Sequence, residues 1–114
     1  MNALQHCEFS AADFRAIVIE TPSIRLIHVS GSGLCASPGW KLELVAANPG
    51  VVPHPESLWL EIRETPPRTD GPHRPAETAV EAIIEDARAQ EVVIRFRWRE
   101  GFILPLRERV GARR

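Results

Sequence analysis

From Glu91 to Val110 the side chains alternate in character with a period of two, and that alternation restricts the segment to a pair of β-strands. Val92, Ile94, Phe96 and Trp98 fall on one face of an extended chain. Arg95, Arg97 and Arg99 fall on the other, joined by Val93. After Glu100-Gly101 the pattern resumes with Phe102, Leu104 and Leu106 on one side and Ile103, Pro105, Arg107 and Arg109 on the opposite one. A two-residue loop would set Arg99 opposite Phe102 and place charge on the apolar face. A three-residue loop of Arg99, Glu100 and Gly101 instead pairs Trp98 with Phe102, Phe96 with Leu104 and Ile94 with Leu106. Gly101 then takes the left-handed position of a bulged turn, where a Cβ would be strained. The predicted hairpin has one apolar face for a core and one arginine-rich face for water or a partner.

The middle of the chain is punctuated by two Pro-Gly pairs. Ser37-Pro38-Gly39-Trp40 and Asn48-Pro49-Gly50-Val51 both meet the requirement of a type II turn. Between them Trp40, Leu42, Leu44 and Ala46 line one face of a strand. Ser57 to Glu64 alternates likewise, with Leu58, Leu60 and Ile62 inward and Trp59, Glu61 and Arg63 outward. Phe14 to Glu20 and Ile24 to Ser30 are β-branched runs separated by Thr21-Pro22-Ser23. Both carry apolar residues on each face, the pattern of strands covered on two sides. Ser30-Gly31-Ser32-Gly33-Leu34-Cys35 reads as a flexible turn, and residues 65–76, rich in Pro and Gly, as the longest loop.

Segment 76–90 is the ambiguous one. Ala and Glu content, Pro75 near a first turn and the stripe Val80, Ile83, Ile84 and Ala87 suit a helix; alternation of Val80, Ala82 and Ile84 with Glu81, Ile83 and Glu85 suits a strand. The strand is preferred because every other periodic run is β and seven strands complete a sandwich. The fold predicted is thus mainly β: a single antiparallel sandwich of immunoglobulin-like architecture over residues 1–114, with a basic tail at 111–114. The resemblance is architectural only. The cysteine–tryptophan–cysteine spacing of true immunoglobulin domains is absent, and the chain has no tyrosine.

A net charge of −1 provides no long-range field to draw nucleic acid or an anionic membrane. No apolar run approaches a membrane span. Residues 1–14 lack a basic stretch followed by an apolar one, so no signal peptide is expected. On that basis Cys7 and Cys35 are expected as reduced thiols and the protein as cytoplasmic; a disulfide between them would require an oxidising compartment.

Catalytic and metal chemistry find little support. His6, Cys7, His28, Cys35, His54 and His73 show no paired ligand spacing, and the Ser30–Cys35 stretch is neither a nucleophile elbow nor a dinucleotide fingerprint. No cofactor and no catalytic residue is assigned. The preferred function is a non-catalytic module for protein contact or self-association, with Trp59 as candidate anchor because a stiff aromatic on an outer strand face suits an interface. The alternative is an acidic ligand or nucleic acid gripped by Arg95, Arg97, Arg99, Arg107 and Arg109, although that face lacks interleaved aromatics. A third reading is a small thiol- or metal-dependent enzyme.

Overall fold

The computed structural model describes residues 6–47, 56–68, 71 and 74–108. Seven strands follow one another: β1 (Arg15–Glu20), β2 (Arg25–Cys35), β3 (Lys41–Ala46), β4 (Ser57–Thr65), β5 (Ala76–Glu85), β6 (Glu91–Arg95) and β7 (Phe102–Glu108), with a 3-10 turn at Ala11–Asp13 before β1. They form one sheet in the order β3-β4-β6-β7-β1-β2-β5. The two end strands, β3 and β5, come together without a shared ladder, so the sheet is nearly closed into a barrel. The expected two-sheet antiparallel sandwich is therefore corrected. The sheet is mixed, with β4–β6 and β1–β7 parallel. Residues 66–90 give the chain room to leave β4, build β5 on the far side and return alongside β4, as a parallel pair requires.

Local chemistry sets the corners. Gly39 has φ +96°, the left-handed residue that the Pro38-Gly39 turn needs. The 21–24 corner is closed by Thr21, whose Oγ1 accepts from Ile24 N–H at 3.1 Å while its N–H donates to Ile24 O at 2.9 Å. At 86–90 the Asp86 carboxylate accepts the Arg88 and Ala89 amides at 2.8 and 2.7 Å, and the Arg25 guanidinium donates to both Asp86 O and Ala89 O. Segment 76–85 is a strand, as preferred: β2 runs antiparallel to it from Leu26↔Glu85 to Cys35↔Ala76. Tertiary pairing along ten residues outweighs the helical propensity of its Ala and Glu. The Asn48-Pro49-Gly50 turn lies outside the described residues.

The faces of every strand follow the alternation. Ile94, Val92, Phe96, Phe102 and Leu104 are buried against Leu60, Ile62 and Leu44, with Leu42, Leu58 and Leu106 at the margin. The hairpin register does not follow the prediction. Ile94 pairs with Phe102 and Val92 with Leu104, a shift of four residues that turns 96–101 into a six-residue loop. An even shift leaves each side chain on its own face, so alternation alone is blind to it. Trp98 is lifted out of the core by this change and is 38% exposed. Gly101 does not have a positive φ; it is required because a Cβ there would run into the Ile94 carbonyl. β7 lies between β6 and β1, and its pairing with β1 begins only at Leu106, after Pro105.

Two further expectations change. The Ser30–Cys35 stretch is the second half of β2 rather than a turn. Gly31 and Gly33 are there because the Phe14 and Phe9 rings lie against the strand where their side chains would stand. Cys7 and Cys35 are not reduced thiols; they form a disulfide, buried at the same end of the barrel.

Candidate functional site

Among the described residues, the predicted chemistry-bearing side chains have separate partners. Cys35 is consumed by its disulfide. His28 Nε2 lies 2.9 Å from Glu81 Oε1 on the outer face, and Ser32 Oγ donates to Glu77 at 3.1 Å. Among the described residues no group of His, Cys, Asp and Glu could hold a metal ion. His54 and His73 lie outside the described residues.

A polar cluster does form around Glu64, whose side chain is only 8% exposed. Its Oε1 accepts the Cys7 amide at 2.7 Å, and its Oε2 accepts the Trp98 indole N–H at 2.6 Å and lies 3.3 Å from His6 Nδ1. His6 stacks on Trp98 with ring centroids 4.4 Å apart. Three donors converging on one carboxylate tie residues 6–9 and the 96–101 loop to β4. Arg99 completes the fastening. Its Nη1 donates to Phe9 O at 2.7 Å and its guanidinium covers the Phe96 and Phe102 rings. This cluster closes one end of the barrel.

The arginines are dispersed. Arg95 lies over the Trp59 ring, 5.9 Å from its centroid, and Arg97 pairs with Glu61 at 3.2 Å. Arg99 is committed to Phe9. Arg107 is exposed near the other end of β7, six residues from the level of Arg95 by the hairpin register, or roughly 20 Å at strand rise. Arg109 lies outside the described residues. Arg95, Arg97 and Arg99 thus have different partners, with Glu61 lying beside both Arg95 and Arg97, and Arg107 stands apart from them. Trp59 points outward as expected, in a lateral row with Val93 and Ile103, but it is half-buried and its indole N–H is enclosed. Ile103, 65% exposed, is the open member of that row.

A broader apolar surface lies on the outside of β1, β2 and β5. Ile19 is paired with Leu26, Ile17 with His28, and His28 with Ile83, so these side chains share one patch, extended past Leu26 by Ile24. Ile83 is 61% exposed, Ile24 is exposed, and Ile17, Ile19 and Leu26 are half-exposed. No described element lies over them. One margin of the patch is basic, with Arg15 on β1 and Arg107 on β7 beside Ile17. The other is acidic, with Glu81 and Glu85 on β5. The candidate residues read from sequence did not include the aliphatic ones. The signal for them was the apolar character of both faces of β1 and β2, which predicted a covering layer that the described residues do not supply.

The chain matches no protein-family model, and neither a curated protein nor a solved structure is similar to it.

Proposed function

We propose that this protein is a non-catalytic interaction or assembly module that docks another protein on the outer face of β1, β2 and β5. The observation that carries the reading is the set of aliphatic side chains Ile17, Ile19, Ile24, Leu26 and Ile83 on the outside of a barrel whose core is already filled. Single exposed apolar residues are ordinary, whereas a contiguous patch rimmed by charge is characteristic of an interface. Covering apolar area contributes a driving force of about 25 cal/mol per Å², part of which is offset by the freedom lost on association. This face is a more extensive candidate than the Trp59 row, where Arg95 already covers part of the indole.

A photo-activated cross-linking residue placed at Ile83 in the protein within its native cells tests this directly. Protein adducts are expected from position 83 and not from position 63, on the outer side of β4. Equal yields at the two positions would reject the docking face.

The paired Cys7 and Cys35 support an oxidising compartment in place of the cytoplasm expected from sequence, because reducing pools keep such thiols apart. Titration of free thiols in protein taken directly from its source tests that: none is expected at these two positions.

A further inference from the structure

We infer that the occupant of the β1–β2–β5 outer face is a second copy of this chain, related by a two-fold axis parallel to the strands. The inference rests on the docking reading above and adds the identity and orientation of the partner.

The lateral order of charge on this face points to that partner. Across the face the strands run β7, β1, β2, β5. At one level the outer side chains are Arg107, Ile17, His28 and Ile83, and at the next Ile19, Leu26 and Glu85 on β1, β2 and β5. Base lies at one side, aliphatic residues in the middle, acid at the other. A two-fold axis running along the strands between β1 and β2 lays β1 on the partner's β2 and β7 on the partner's β5. Ile19 then meets Leu26 of the other copy, and Arg107 meets Ile83 with Glu81 and Glu85 on either side of it. A two-fold axis perpendicular to the strands would lay β7 on the partner's β7 and β5 on the partner's β5, setting base against base and acid against acid. Charge therefore selects the first arrangement, and the small interstrand angle it needs is that of aligned sheet packing. Arg107, Arg15 and Glu85 have no ion-pair partner among the described residues, so each is available to the other copy.

Size sets the strength. Four strands about 4.8 Å apart and six residues long span roughly 400 Å². That is about half of what each partner gives to a standard stable interface, so the dimer is concentration-dependent rather than obligate.

Analytical ultracentrifugation of the purified protein from about 10 μM to 1 mM should show monomer giving way to dimer. Arg107→Glu and Glu85→Arg should each weaken the dimer at least tenfold, and the double variant should recover to within about threefold of wild type. These positions are exposed, so circular dichroism should be unchanged in all three. A wild type that stays monomeric to 1 mM overturns the inference, as does a double variant no tighter than the singles. The cross-link at position 83 separates the two levels of the argument. An adduct of two identical chains supports the second copy; an adduct only with another protein overturns the second copy and keeps the docking face; no adduct above the position-63 control removes both.

Discussion

Trp98 donates its indole N–H to Oε2 of Glu64 at 2.6 Å, and through that bond the 96–101 loop is fastened to the end of β4. The same carboxylate holds the Cys7 amide. Glu64→Ala leaves both donors without their acceptor, and the amide next to a fully buried cysteine cannot simply turn to water. A loss of about 1–3 kcal/mol is expected, the usual cost of orphaning enclosed polar groups. Urea unfolding of Glu64→Ala, Trp98→Phe and the double variant checks it. The double should be clearly less destabilised than the sum of the singles, because both remove one shared bond.

Gly31 and Phe14 make a second dependent pair. A methyl group at position 31 competes with the Phe14 ring for the same space, so Gly31→Ala should destabilise by about 1–3 kcal/mol despite alanine's lower backbone entropy. Combining it with Phe14→Leu, which vacates part of that space, should cost less than the sum of the two single changes. Thermal melts of the three variants decide the point. Strict additivity would mean that the ring and the glycine are not in contact.

Reduction of the Cys7–Cys35 disulfide should lower stability by about 3–4 kcal/mol by the chain-entropy model for a loop of 28 residues. The comparison is urea unfolding with and without reductant, alongside Cys7→Ser/Cys35→Ser, which should be insensitive to reductant and match the reduced wild type closely. Residues 6–9 keep their hydrogen bonds to Glu64 and Arg99 in the native state. The native far-ultraviolet spectrum should therefore survive reduction.

Trp59→Ala distinguishes the two outer patches. Removing a half-buried indole should cost about 1–3 kcal/mol of stability through lost apolar cover. It should leave the sedimentation behaviour of the protein unchanged, since Trp59 stands on β4, outside the face made by β7, β1, β2 and β5. Leu26→Ser should do the reverse, weakening self-association with a smaller effect on unfolding.

What the amino-acid sequence by itself determined is the facing of each strand. In β3, β4, β6 and β7 the period of two assigned Leu44, Leu60, Ile62, Ile94 and Leu104 to the interior, and the burial of each follows. It also assigned the Pro38-Gly39 turn, because a left-handed φ is a local demand that one residue meets. The tertiary structure decided whatever depends on a distant partner. Alternation repeats every two residues, so it admits Trp98↔Phe102 and Ile94↔Phe102 equally; the choice came from packing Phe96 among Phe9, Phe102 and Trp98. It carries no strand direction, so the parallel β4–β6 and β1–β7 pairs and the near-closed barrel were invisible to it. The glycines of β2 looked like a turn because the rings that need their space, Phe9 and Phe14, come from another segment. The aliphatic residues facing outward on β1 and β2 were legible as residues needing cover. Only the closed topology showed that no part of the described domain provides it.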